Sequence, residues 1–111
     1  MNRIEQLEAF LKDSPEDPFL HYALTMEYVK LGDDTESHNR FTMMISNYPD
    51  YIGTYYHFGK FLEKLNHKDQ AEEIYRLGIQ KATILRNQHA KGELMGALNM
   101  LLGLDDDDEE Y

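Results

Sequence analysis

The chain contains no cysteine. That single absence removes a disulfide frame, a thiolate nucleophile and a thiolate metal site, and it agrees with a reducing compartment. Long apolar runs are also missing: no stretch approaches the length of a membrane-spanning helix. The amino-terminal Met1-Asn2-Arg3-Ile4-Glu5-Gln6 turns acidic where a signal peptide needs its apolar core, so a cytoplasmic protein is expected. Basic residues are few, 11 against 21 acidic ones for a net charge of −10, and they form no long cluster. Phosphate backbones repel such a chain, which makes nucleic acid and anionic membrane poor partners. The charge is uneven, because Asp105 to Glu110 are all acidic.

Catalytic signatures are absent as well. The five histidines, His21, His38, His57, His67 and His89, include no pair at the four-residue spacing that sets two metal ligands on one helix face. Glu63 and His67 are four apart, a spacing that fits a helix-end ion pair better than an acid–base dyad. No phosphate-binding glycine loop or serine-nucleophile motif occurs. Neither an enzyme nor a resident metal or cofactor is expected.

What remains is a chain of 111 residues, 41% hydrophobic and 29% charged, sized for one globular domain over residues 1–104. Helical periodicity dominates it. Leu20, Leu24, Tyr28 and Leu31 recur at three- and four-residue steps, as do Tyr55, Phe58, Gly59, Leu62 and Leu65, and neither run alternates as a strand would. Breaks fall at Ser14-Pro15-Glu16-Asp17-Pro18, Gly32-Asp33-Asp34, Tyr48-Pro49-Asp50 and Asn66-His67-Lys68-Asp69, where Pro opens helices, Gly or Asn closes them and Asp caps them. The expectation is six helices near 2–12, 16–31, 34–47, 50–65, 68–85 and 88–102, joined by links short enough to force antiparallel hairpins.

A shift of 34 residues superposes Pro15 on Pro49, His21 on Tyr55, Leu24 on Phe58, Tyr28 on Leu62, Gly32 on Asn66, Ser37 on Ala71 and Phe41 on Tyr75. Such self-similarity is the mark of stacked hairpins rather than a generic bundle. The pattern resembles the tetratricopeptide repeat (TPR) family, with one repeat over Pro18 to Tyr51 and a second from Ile52 to about Leu85. The departures are His21 at a large-aromatic position, Met44 at a small one and Thr83 in place of the closing proline. Carried backwards, the period makes residues 2–12 a front helix, with Leu7 and Phe10 matching Phe41 and Met44. At the other end Leu94, Met95, Leu98 and Leu101 make the stripe of a closing helix, 88–102, in which Gly92 and Gly96 allow a close helix crossing. The expected fold is all-α, a short right-handed solenoid of helix-turn-helix hairpins.

The resemblance implies a protein-interaction scaffold whose groove holds a peptide or a partner helix. Its groove positions fall on Phe19, Tyr22, Met26 and Val29 in the first repeat and on Gly53, Tyr56, His57, Lys60 and Lys64 in the second. An aromatic and Met surface beside two lysines suits a partner that is part apolar and part acidic. The opposing reading has Phe19 and Tyr22 simply packing under neighbouring helices. The clamp of Lys, Asn and Arg that some family members close on a carboxy-terminal carboxylate is missing, since Tyr22, Met26 and His57 occupy its places. The segment Asp105–Tyr111 reads as a disordered acidic tail, solubilising or else folded back on the groove lysines. The competing reading of the whole chain is a homodimer through the end helices or the groove, because two repeats are fewer than the roughly three that stacks usually need.

Overall fold

In a computed structural model, residues 1–104 are described; the expected acidic tail, 105–111, lies outside the described residues. Six helices follow one another: α1 (Arg3–Asp13), α2 (Pro18–Leu31), α3 (Asp34–Asn47), α4 (Gly53–Lys64), α5 (Lys68–Ile84) and α6 (Gln88–Leu101). The fold is all-α, and it divides into two compact units, Met1–Thr54 and Tyr55–Tyr111.

In the first unit, local chemistry sets each helix start. Asn2 and Glu5 form a reciprocal cap: the Glu5 N–H donates to Asn2 Oδ1 (2.8 Å) and the Asn2 N–H to Glu5 Oε1 (3.1 Å). Asp17 Oδ1 accepts the Phe19 N–H at 2.9 Å with Pro18 in the first turn, so α2 begins at Pro18 rather than at the expected 16. Asp33 Oδ1 accepts the Glu36 N–H at 3.1 Å and opens α3. The Tyr51 N–H donates to the Tyr48 carbonyl (3.0 Å), which turns the chain there and delays α4 to Gly53 instead of 50. Helix α1 packs on α2 and α2 on α3. The core they enclose holds Leu7, Leu24, Phe41 and Met44, with Thr25 and Ser37 as small buried residues that let the helix axes approach. Phe10, in the place equivalent to Met44, is 55% exposed because nothing described covers that side of α1.

The second unit repeats the scheme with α5 packed on α6. Tyr55, Phe58, Phe61, Leu62, Ala71, Tyr75, Ala82, Leu94, Ala97 and Leu98 are buried. Two glycines make the α4–α5 contact possible. A Cβ on Gly59 would overlap the Tyr75 ring, and one on Gly78 would stand 2.6 Å from Tyr55 Cβ and 2.9 Å from Leu94 Cδ1. Tyr75 donates its hydroxyl to Glu63 Oε2. Glu63 therefore pairs with Tyr75 and, at 3.8 Å, with Lys60; the expected pairing with His67 is replaced, and His67 is the N-cap of α5 without a side-chain cap bond.

The 34-residue period is physical as well as textual. Phe41 and Tyr75 are both wholly buried, as are Ser37 and Ala71, while Gly32 (φ +83°) and Asn66 (φ +64°) both close their helices in the left-handed conformation. An L-residue with a Cβ pays a steric cost there, so Gly32→Ala is expected to lower stability by about 1–2 kcal/mol, read as a lower urea midpoint at unchanged slope. Arg86 (φ +58°) closes α5 in the same way, although its residue type does not announce it. No helix among the described residues is long and apolar enough to cross a membrane.

Candidate binding cleft

Helix α4 buries Tyr55, Phe58 and Leu62 and leaves Tyr56, Lys60 and Lys64, each one turn further on, along another face. Lys60 Nζ lies 5.6 Å from the centre of the Tyr56 ring, close enough for a cation–π contact, and its pairing with Glu63 keeps the ammonium on this face. The Tyr56 ring meets the His57 ring edge-on at 5.4 Å. His57 is partly buried, which lowers its pKa; Glu93 acts in the opposite direction.

Two short reversals after α4, helix α6 runs in the same direction as α4. It turns Leu94, Ala97 and Leu98 to the core and Gly92, Glu93, Gly96 and Met100 outward. Between the Tyr56–Lys60 edge of α4 and this outward face of α6 lies an open cleft of about 410 Å³, within the size range of ligand sites. Its floor is unusual in one respect: a Cβ added at Gly92 or at Gly96 would have nothing within 4 Å. The expectation that these glycines serve a close helix crossing is thus overturned among the described residues, because they face open space. Glu93 is held at 3.5 Å from His89, and Met100 (64% exposed) and Leu104 close the far end of the cleft. Gly103 (φ +74°) bends the backbone after α6, its N–H donating to the Met100 carbonyl and that of Leu104 to the Asn99 carbonyl at 2.7 Å, which leaves Leu104 on the rim.

Of the residues expected on a groove, Tyr56 and Lys60 line this cleft; His57 and Lys64 flank it on α4 without lining it. The α6 residues were missed by sequence reasoning, although the glycine pair was their signal. In the first unit Phe19 is 54% exposed, whereas Tyr22, Met26 and Val29 are partly buried. Tyr22 packs its ring 5.2 Å from that of Tyr51, and burial, with Tyr51 adding to it, raises its pKa. Gly53 lies against the same ring. His21, at the family's aromatic position, is used structurally: it stacks on Tyr48 at 5.4 Å, and Nε2 lies 2.7 Å from the Pro15 carbonyl, while Tyr48 donates to Glu16 Oε1 at 2.8 Å. Among the described residues no cluster of three His, Asp or Glu side chains is placed to hold a metal.

No family model and no curated protein sequence matches the chain. Solved structures do. A tetratricopeptide repeat domain protein from Salinibacter ruber, in its solution NMR structure, is 38% identical with a TM-score of 0.77, covering 83% of this chain and 93% of that one. A crystal structure of a tetratricopeptide repeat domain protein from the same organism gives 37% and 0.74, covering 80% and 100%. A Bordetella parapertussis protein solved in solution shares the fold at 19% identity and a TM-score of 0.80, over 100% of this chain and 98% of that one. The 34-residue repetition of buried aromatic, small and left-handed positions, together with this identity over nearly the whole of the Salinibacter domain, places the chain in the tetratricopeptide repeat family.

Proposed function

We propose that the protein is a protein-interaction module, not an enzyme, which holds a partner's peptide segment or helix in the cleft between α4 and α6. The observation that carries this reading is the open glycine floor. Each glycine inside a helix costs about 0.8–1.0 kcal/mol relative to alanine, and at Gly92 and Gly96 no packing among the described residues offsets that cost. A partner side chain or backbone seated against bare helix backbone does offset it. Tyr56 supplies a ring to pack on, and Lys60 and Lys64 supply positive charge for the acidic part of the partner. His57 flanks them, and on the first unit Phe19, with Tyr22, Met26 and Val29 beside it, offers a second apolar contact surface.

The test is Gly96→Leu. Its side chain enters the cleft rather than the core, so the thermal midpoint is expected to hold or rise while the cleft floor is filled. Peptides selected from a display library against the wild-type chain are expected to lose affinity about ten-fold or more, at least about 1.4 kcal/mol. Equal affinity for the variant, measured by titration calorimetry, refutes the cleft as the binding site.

A second reading, a homodimer, is favoured by a specific observation: Ile84 (72% exposed), Met95 (44%) and Leu102 (39%) leave apolar surface on α5 and α6. Light scattering separates the readings, since a dimer weighs twice the 13.1 kDa of the monomer.

A further inference from the structure

The cleft is built in rungs. A Cβ at Gly78 would stand 2.6 Å from Tyr55 Cβ and 2.9 Å from Leu94 Cδ1, so α4 and α6 meet α5 at the same height. From there the two helices rise in step. Tyr56 and Lys60 on α4, and Gly92, Gly96 and Met100 on α6, follow at four-residue intervals, about 6 Å apiece along the axis. The α4 edge offers a ring and then an ammonium. The α6 edge offers backbone that is bare among the described residues, twice, and then the thioether of Met100. Charge is graded along the cleft as well: Glu93 adjoins Gly92 at the Tyr56 end, while Lys60 stands one turn further on. The Lys60 ammonium is loosely held. Its contact with Glu63 is 3.8 Å long, and Glu63 also accepts from the Tyr75 hydroxyl, so donors remain for a closer acceptor.

We propose that the occupant is an extended peptide from a partner protein, carrying one acidic residue directly between two bulky apolar ones, an inference that rests on the cleft being the binding site. In a strand, successive side chains point to opposite edges, and every second one returns to the same edge after about 6.6 Å. That repeat is close to the spacing of the rungs. A strand laid along the cleft therefore sends alternate side chains to α4 and to α6. The one that meets Lys60 is a carboxylate, joined to the ammonium by a charge-assisted hydrogen bond. Its two neighbours turn to the other edge, one over the floor between Gly92 and Gly96 and one against Met100, whose flexible side chain adapts to what it meets. Glu93 repels an acid at the Tyr56 end and favours a neutral or basic residue there, which gives the peptide a single direction of charge. A bound helix addresses the two edges with residues three or four apart instead, so adjacency in the peptide sequence separates the two conformations.

The experiment selects random displayed peptides in parallel on the full wild-type chain, Lys60→Glu, Lys60→Gln and Gly96→Leu, with circular dichroism confirming that each variant keeps its helicity. The wild type is expected to enrich Asp or Glu with Leu, Ile, Met or Phe on either side. Lys60→Glu should enrich Lys or Arg in that central place, and Lys60→Gln no charge there; the second variant covers the case in which an added carboxylate repels Glu63 and loosens the fold. The best wild-type peptide, made synthetically, should bind about ten-fold more weakly when its acid is changed to the amide, read by fluorescence anisotropy. Inserting one residue beside the acid should cost about as much, because it turns the neighbour to the wrong edge. Enriched peptides with acid and apolar residues three or four positions apart overturn the inference, since they mean a bound helix, and so does a consensus that both Lys60 variants leave unchanged. The two proposals fail distinguishably: peptides that lose affinity on Gly96→Leu but show neither the acid nor the adjacency sink this inference alone, whereas enrichment of no peptide by any of the chains sinks the interaction module with it.

Discussion

Tyr75→Ala is expected to lower the stability of the fold by about 3–5 kcal/mol, enough to leave a domain of this size largely unfolded at ambient temperature if its total stability lies at the low end of the usual range. Three consequences of the substitution act together. The ring is wholly buried, so its apolar area returns to water and a cavity remains. One wall of that cavity is Gly59, which has no side chain to collapse into it. Glu63 loses the hydroxyl that donates to it and keeps only its longer contact with Lys60. The milder Tyr75→Phe isolates the last part and is expected to cost about 1–2 kcal/mol. It also carries a pH signature. Burial, and then the hydrogen bond to Glu63, raise the Tyr75 pKa above its ordinary value. The folded state therefore holds this proton more tightly than the unfolded one, so its contribution is complete below about pH 10 and is lost as the pH rises above that value. Denaturant titrations at pH 8 and pH 10.5 should show a steeper alkaline loss for the wild type than for Tyr75→Phe, and parallel losses would contradict the buried hydroxyl.

Glycine to alanine substitutions should change sign between two pairs of helix positions. At Gly78 an added Cβ meets the Tyr55 Cβ at 2.6 Å, an atom fixed to the backbone that cannot swing aside, and at Gly59 it overlaps the Tyr75 ring. Overpacking of this kind costs about 1–3 kcal/mol, more than the helix-propensity gain of just under about 1 kcal/mol, so both variants are expected to be less stable. At Gly92 and Gly96 the propensity gain stands unopposed because the new Cβ meets none of the described residues within 4 Å. Both of those variants are expected to be more stable, by about 0.5–1 kcal/mol each. Thermal midpoints of the four single variants decide the matter, and a stabilised Gly78→Ala would mean that the α4–α5 contact is looser than its geometry indicates.

Much of the architecture was legible in the sequence because packing repeats where the period repeats. Leu24 and Phe58, Ser37 and Ala71, and Phe41 and Tyr75 have the same environments 34 residues apart. Helix ends were legible where a residue type has one dominant use, as at Gly32, Asn66, Asp17 and Asp33. Arg86 was not, since arginine rarely adopts the left-handed conformation and nothing local marks it. His21 looked like a defect in the repeat; its stacking on Tyr48 depends on two side chains far apart in sequence, which no spacing rule connects. The cleft was half legible. Tyr56 and Lys60 follow from the outward face of α4, but the role of Gly92 and Gly96 depends on how α6 is rotated about its axis. Leu94, Ala97 and Leu98 set that rotation, and a sequence in which Met95 and Met100 also look apolar leaves two rotations open.

The bare floor of α6 also separates two demands that most binding sites must satisfy together. Core contacts occupy one side of this helix, at Leu94, Ala97 and Leu98, while Gly92 and Gly96 stand on another with none of the described residues against them. In the binding cleft proposed above, selectivity can therefore drift, through a side chain introduced at those two positions, without first crossing a threshold of misfolding. On that proposal a mutational lineage is free to trade one recognised sequence for another there, and the same two codons are where an engineer would begin to write a new specificity.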